Sequence, residues 1–113
     1  MARTPLGWFP KRGEICWFHL DKDRPALVIS SDVLNRHALD VCVVPITSVH
    51  HGRFALRVAL KAGEGGLTRD SWAKCDQVTT LEIRSAAYPS IGRLPDAAIS
   101  RIEEGVRLAL DLP

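Results

Sequence analysis

The stretch FALRVAL at residues 54–60 gives the clearest indication of how this chain folds. Every second residue is large and apolar, as a strand with one buried and one exposed face requires. The buried face would carry Phe54, Leu56, Val58 and Leu60, while small or charged residues lie between them. The alternation therefore predicts a half-buried β-strand.

Similar short apolar runs, broken by Gly, Pro, Asp and Asn, lie on both sides of this stretch, from about residue 13 to residue 92. Runs of this length with such breaks are typical of a strand-rich domain with tight connections. The predicted strands are 14–20, 26–30, 41–46, 54–60, 71–75 and 78–83.

Helical signals are confined to two places. Asp32 could cap a short helix that runs through Asn35, whereas the glycines of 63–66 indicate a turn. Pro95 and Asp96 suit the first turn of a longer C-terminal helix. That helix would have an apolar stripe of Ile99, Ile102, Val106 and Leu110, opposite Arg101, Glu103, Glu104 and Arg107.

The number of short strands limits the possible architectures. Five or more of them in about 80 residues cannot leave long sheet edges exposed, so the sheet should curl. The sequence predicts a mainly β fold with some helix, namely a strongly curved, partly closed barrel with a C-terminal helix that packs on it.

Composition restricts the class of protein without naming a function. The 113 residues suit one domain, and no apolar run is long enough for a membrane span or a signal peptide, so we expect a soluble, cytoplasmic protein. Three cysteines without a pairing pattern predict buried thiols.

The net charge is only +2. Eleven of the 15 basic residues are arginine, which suits bidentate binding of phosphate, although genomic base composition can produce the same bias.

The most suggestive polar residues lie at predicted strand ends. Arg24 precedes one strand, and the other strand-end residues are Thr47, Ser48, Lys74, Asp76 and Gln77. If three strand ends meet at one rim, these side chains could hold a phosphodiester. The simpler alternative is that Arg24 pairs with Asp21 or Asp23 and that Thr47 caps a turn.

Other chemistries have weaker support. Cys16 with His19 is half of a zinc site, and only His50 with His51 could complete it. The carboxylates do not form a cation-binding loop, no nucleophile occupies a strand-to-helix elbow, and the Gly63–Gly66 region lacks a phosphate-loop lysine. The sequence therefore predicts neither a metal nor a cofactor.

Six segments together resemble the MazF/PemK toxin family. They occur in the family's order and are GEI (13–15) running into LD (20–21), RPALVIS (24–30), VPITS (44–48), GEGGL (63–67), CDQ (75–77) and IGRL (91–94). The resemblance implies an SH3-like barrel of the PemK/CcdB type over residues 13–113, after an N-terminal extension of residues 1–12. It also implies a homodimer that cleaves single-stranded RNA without a metal and is inhibited by a small acidic antitoxin.

The family's catalytic pair falls on Arg24 and Thr47. Asp76 falls on an aspartate to which the role of base is assigned, and Lys74 replaces an arginine of the PemK-like branch. Between LD and RP, relatives have a longer loop, which in some of them carries a functional histidine. Here the loop is only Lys22 and Asp23, without a histidine. The residues predicted to contact RNA are Lys74, Ser48, Gln77, Asn35, Arg36 and His37.

This resemblance predicts attack of the ribose 2′-hydroxyl on the adjacent phosphate, which gives 2′,3′-cyclic phosphate and 5′-hydroxyl ends. Two alternatives stay open: a catalytically weak barrel that binds RNA or an antitoxin, and a CcdB-like toxin that binds gyrase. For four aromatic side chains there are two alternatives, stacking on unpaired RNA bases or packing in the core. These residues are Trp8, Trp17, Phe18 and Trp72.

Overall fold

The computed structural model of the chain describes residues 3–50 and 56–113. Within these residues a curled sheet of seven strands is followed by a C-terminal helix. The elements are β1 (Glu14–His19), β2 (Asp23–Val28), α1 (Asp32–His37), β3 (Asp40–Thr47), β4 (Arg57–Leu60), β5 (Ser71–Lys74), β6 (Thr79–Glu82), β7 (Gly92–Arg93) and α2 (Asp96–Leu110).

The long strand β3 causes the sheet to curl. One edge of β3 pairs with β2, while its other edge pairs first with β6 at residues 40–43 and then with β5 at Ile46 and Thr47. The main path of the sheet is β4-β5-β3-β2-β1-β7, with all pairs antiparallel. The predicted curved barrel with a C-terminal helix is confirmed in the form of a curled half-barrel.

The two faces of the sheet bury two separate apolar clusters. The larger cluster lies between the sheet and α2 and includes Ile15, Leu27, Leu60 and Ile102. On the other face, Phe18 is the largest member of a smaller cluster against which Trp8 packs. A methyl group built at Gly105 of α2 would lie 2.7 Å from Cys75 Sγ, so the helix requires a glycine to approach the sheet this closely.

Several predicted boundaries need correction. The second strand was predicted at 26–30, but β2 begins at Asp23, so Arg24 lies inside a strand. The N-cap of α1 is Ser31, whose side chain accepts from Leu34 N, whereas the Asp32 carboxylate accepts from Arg12 N at 2.7 Å. The two-residue strand β7 was not among the predicted strands. Phe54 and Ala55 of the fourth predicted strand lie outside the described residues.

The predicted glycine turn is present as a 3-10 turn at Glu64–Gly66. Gly66 has a φ of 82°, and a methyl group there would lie 2.3 Å from the Ile91 carbonyl oxygen.

Cys16 and Cys75 are buried as predicted, and burial raises the pKa of Cys16 to about 12 and that of Cys75 to about 11. Cys42 is only partly buried, which corrects that prediction. In the described part of the chain, no helix has the length and apolarity for a membrane crossing.

Candidate active site

Arg24 and Thr47 lie at the same end of the β2–β3 pair, on the face of the sheet opposite α2. The β2–β3 register ends with Ala26 opposite Pro45, and Arg24 and Thr47 each lie two residues beyond that pair. Thr47 is paired with Trp72 of β5, and such directly opposed side chains stand about 4.5–5.5 Å apart at Cβ. Arg24, Thr47 and Trp72 thus occupy one row of positions across β2, β3 and β5.

A second row lies next to this one. Arg57 of β4 pairs with Lys74 of β5, and both side chains point to the same face as Thr47 because they alternate with core residues. The small residues Pro45 and Ala26 continue this row across β3 and β2, and Ala59 lies beside it on β4. This face therefore carries cationic and hydroxyl side chains next to small side chains.

The charges on this face are predominantly positive. Burial is the largest cause that lowers the pKa of Lys74, followed by the nearby charges of Arg57 and Arg24, while Asp76 opposes the shift. Three cations thus act on one another around a single carboxylate. Such a group binds a polyanion favourably because the anion relieves their mutual repulsion.

Arg57 is a further residue of this face that the sequence motifs do not identify. Its Nη1 donates to Asp76 Oδ1 in an ion pair, and its side chain is only 16% exposed. The alternation of residues 54–60 placed Arg57 on the face away from the core, but only the β4–β5 register shows that this face also carries Lys74. Asp76 itself lies in the turn after β5, where Gln77 N donates to Lys74 O at 3.0 Å.

Thr47 also shapes the turn that follows β3. Its Oγ1 accepts from Val49 N at 3.1 Å, which confirms the alternative prediction that Thr47 caps a turn. The same hydroxyl faces Val49 O at 3.4 Å, a long separation for a donor of this type, so its hydrogen can serve another acceptor. The turn brings His50 against Trp72, with ring centroids 5.1 Å apart.

The alternative prediction for Arg24 is not supported by the observed ion pairs. Asp23 pairs with His19, whose Nδ1 lies 2.7 Å from Asp23 Oδ1. Among the described residues, no carboxylate lies within salt-bridge distance of Arg24. The Arg24 side chain is exposed and can receive an anion at this face.

Ser48 is separated from Thr47 by the alternation of the strand. It lines a groove of about 390 Å³ on the other face of the sheet, together with Trp17, Pro25 and Arg69. Trp17 is 44% exposed, so its ring is available in this groove rather than packed in the core. Phe18, by contrast, is fully buried and is a core residue.

The three residues predicted near α1 do not join this site. Asn35 is fully buried, and its Nδ2 donates to Ser30 O at 3.0 Å, so the prediction that its side chain contacts RNA is wrong. Arg36 and His37 are exposed but lie at the other end of β3, roughly 23 Å from Thr47 along the strand.

The chain matches a family described as the PemK-like, MazF-like toxin of type II toxin-antitoxin systems over residues 11–110. The chain belongs to this family. Membership confirms the predicted toxin class. The endoribonuclease MazF9 of Mycobacterium tuberculosis (strain ATCC 25618 / H37Rv) is 32% identical over 90% of this chain and 97% of its own length. Endoribonuclease EndoA of Bacillus subtilis (strain 168) is 28% identical over 79% of this chain and 77% of its own.

Solved structures of MazF toxins share the fold. The Mycobacterium tuberculosis toxin MazF-mt6 is 31% identical, with a TM-score of 0.78 over 88% of this chain and 98% of that one. An endoribonuclease in complex with its cognate antitoxin, from a mycobacterial species, is 27% identical, with a TM-score of 0.77 over 92% of this chain and 95% of that one. The curled half-barrel is therefore the family's fold.

Proposed function

We propose that this MazF/PemK family toxin is a metal-independent endoribonuclease that cuts single-stranded RNA on the face carrying Arg24 and Thr47. The observation that supports the proposal most strongly is that the exposed Arg24 and the Thr47 hydroxyl lie at the same end of the β2–β3 pair and on the same face of the sheet. Similarity to proteins named endoribonucleases supports the reaction type. Sequence-specific cutting of messenger or other RNA would inhibit growth.

Arg24 clamps the phosphate that is cut. A guanidinium grips two phosphate oxygens at once and stays protonated at all relevant pH values, so it neutralises charge that builds up on the pentavalent phosphorus. Thr47 adds a hydroxyl hydrogen bond to the same phosphate. The ribose 2′-oxygen attacks, and the products carry 2′,3′-cyclic phosphate and 5′-hydroxyl ends.

Lys74 supplies positive charge and a proton for the leaving 5′-oxygen. Its lowered pKa makes the ammonium a better proton donor than an ordinary lysine. Asp76 had been predicted as a base, but accepting a proton would break its ion pair with Arg57. We therefore assign Asp76 to holding Arg57 beside Lys74, which leaves the proton acceptor to another group.

Unpaired bases next to the cut phosphate bind in the groove lined by Trp17 and Ser48. Pro25 and Ile46 also line this groove, and they directly adjoin Arg24 and Thr47 in sequence. An RNA strand that crosses the end of the β2–β3 pair would thus reach both the face with Arg24 and Thr47 and the groove with Trp17 and Ser48. Stacking on an exposed indole contributes about 1–3 kcal/mol per base. Gln77, Arg36 and His37 remain predicted RNA contacts outside this groove.

Partners follow from the family. A small acidic antitoxin suits the positive face, and a relative of known structure is described as a complex with its cognate antitoxin. We expect a homodimer in the cytoplasm, with residues 13–113 as the toxin domain and 1–12 as an extension. Light scattering that shows only a 12.5 kDa species at micromolar concentration would contradict the dimer.

The proposal is tested by incubating the protein in excess EDTA with single-stranded RNA of mixed sequence and with DNA of the same sequence. Mass spectrometry of the fragments identifies their ends. We expect RNA fragments with cyclic-phosphate ends and intact DNA, because DNA lacks the 2′-hydroxyl. Arg24→Ala should lose about 100- to 1000-fold in rate, as loss of a transition-state donor commonly does.

Four results would contradict this assignment. Equal cleavage of DNA would exclude the 2′-hydroxyl mechanism, and fragments with 5′-phosphate ends would do the same. If Arg24→Ala keeps the wild-type rate, the active site lies elsewhere on the molecule. Lack of any cleavage across diverse RNA would favour the binding-only barrel or the gyrase-binding alternative.

A further inference from the structure

We infer that His50 is the group that takes the proton from the attacking 2′-hydroxyl, an inference that rests on the proposed function. A metal-free cleavage of this kind needs such an acceptor near the phosphate. Arg24 cannot fill the role because its guanidinium stays protonated. Asp76 is bound to Arg57. An imidazole is the side chain best suited to exchanging protons near neutral pH.

The position of His50 is set by the row that contains the phosphate clamp. Its ring centroid lies 5.1 Å from that of Trp72, with the two planes inclined by 43°. Trp72 is the direct cross-strand partner of Thr47. The imidazole therefore stands one side chain away from Thr47, on the face where Arg24 would hold the phosphate.

The turn after β3 holds His50 in this place. The bond from Val49 N to Thr47 Oγ1 closes the turn immediately after the strand, so the next residue folds back toward β5. His50 is exposed despite the stacking. Its ring can consequently meet a substrate on one side and return its proton to solvent on the other.

The charged groups on the face that carries Trp72 are mostly cationic. They are Lys74 of β5, Arg57 of β4 and Arg24 of β2, with Asp76 after β5 as the carboxylate. A neutral imidazole accepts a proton through its unprotonated ring nitrogen. The cations on this face would stabilise the negative charge that builds up on the phosphate as the proton leaves the 2′-hydroxyl.

The proposed step moves one proton at the attacking oxygen and one at the leaving oxygen. The 2′-oxygen forms a bond to phosphorus while its proton passes to an imidazole nitrogen of His50. The bond from phosphorus to the 5′-oxygen breaks, and that oxygen takes a proton from the Lys74 ammonium. After the products leave, the imidazolium gives its proton to solvent and Lys74 regains one. No oxidant, reductant or metal takes part.

The test compares His50→Gln with His19→Gln, each assayed in EDTA under single-turnover conditions from pH 5 to pH 9. His19 is also exposed, but it alternates with Phe18 and so points to the other face of the sheet, where it pairs with Asp23. We expect His50→Gln to lose about 100-fold or more in rate, the usual contribution of a general base. The control should stay within about 2-fold of wild type.

Two further measurements separate proton transfer from a structural role. In the wild type, the rate should fall toward the acidic end of this pH range, because a protonated imidazole cannot accept a proton. In His50→Gln this acidic limb should disappear. Affinity for an RNA analogue with a 2′-deoxy sugar at the cut site should change by less than about 3-fold, and the thermal midpoint should be unchanged.

Each result supports or overturns the assignment. If the wild type cleaves RNA and Arg24→Ala does not, but His50→Gln keeps both its rate and its acidic limb, His50 only covers Trp72. If His50→Gln loses RNA affinity and rate together while keeping the acidic limb, it is a binding residue and not the base. Lack of cleavage by the wild type would instead overturn the proposed function, and this assignment with it.

Discussion

The two ends of the β2–β3 pair both carry polar side chains, but they use them differently. At the end with Arg24 and Thr47, the guanidinium is exposed and has no carboxylate partner among the described residues. At the α1 end, Asn35 is fully buried and satisfied by Ser30. A polar residue beside a strand end is thus structural when its hydrogen bonds are complete, and available for a ligand when they are not.

The backbone explains why the two ends differ. At the α1 end, Ser30 Oγ accepts from Cys42 N at 3.0 Å, so Ser30 and Asn35 together connect β2, α1 and β3. At the Arg24 end, the paired residues of β2 and β3 stop at Ala26 and Pro45, while β3 continues along β5 on its other edge. Strands that diverge leave side chains without partners, which is where binding sites can form.

After Arg24→Ala, the largest effect at the Arg24 end is expected from Arg57→Ala. The change removes one of three cations and frees Asp76, so the carboxylate would repel the phosphate. We expect a loss of about 10- to 100-fold in single-turnover rate, equal to about 1.4–2.7 kcal/mol. The loss should be smaller than that of Arg24→Ala because Arg57 lies in the neighbouring row.

Arg57→Lys and Arg101→Ala serve as the comparison variants. The lysine keeps the charge but not the planar fork and should recover part of the rate. Arg101 is exposed on α2, on the far side of the sheet, and its loss should leave the rate unchanged. An Arg57→Ala protein as active as the wild type would show that only the Arg24 row acts on RNA.

Arg57 also shows how far the sequence predicts the site. Alternation within a strand gives the face on which a side chain lies, and a shared motif identified Arg24 and Thr47. Neither gives the cross-strand register, which depends on long-range pairing between β4 and β5. The Arg57–Asp76 pair and the placing of His50 against Trp72 therefore appear only in the structure.

The fold was more predictable than the site. Apolar runs and glycine turns predicted most strands and α2, since each signal is local. Asn35 was misjudged because proximity to a strand end in sequence does not reveal burial. Ser48 was predicted to lie with Thr47 because the two residues are adjacent in sequence. Successive side chains of an extended segment point to opposite faces, however, and Ser48 lines the groove on the other face.

At the α1 end, Asn35→Ala should reduce stability and leave catalysis unchanged. It leaves the Ser30 carbonyl and hydroxyl without their side-chain partner in a buried position. The expected cost is about 1–3 kcal/mol in the free energy of unfolding, measured by urea titration. The cleavage rate per folded molecule should stay within about 2-fold of wild type.

Arg36→Ala is the control for this variant because it is adjacent and exposed. It should change the free energy of unfolding by less than about 0.5 kcal/mol. A stable Asn35→Ala protein that has lost RNA cleavage would reverse the distinction between the two ends.

The smallest effect is expected from the double change Arg36→Ala and His37→Ala. These exposed residues lie roughly 23 Å from Thr47 along β3, too far to touch the nucleotides at the cut. They can meet RNA only if a longer strand follows the sheet toward α1. The double variant should therefore cut an oligonucleotide of about 4 nucleotides like the wild type and bind one of about 16 more weakly.

The salt dependence of binding the longer oligonucleotide measures this contact directly. Each lost phosphate contact should lower the slope of log affinity against log salt by about one, since fewer counterions are released. Arg24→Ala should lower the slope for both lengths, whereas the double variant should lower it only for the long one. An unchanged slope with the long oligonucleotide would confine RNA to the Arg24 end and leave α1 with a purely structural role.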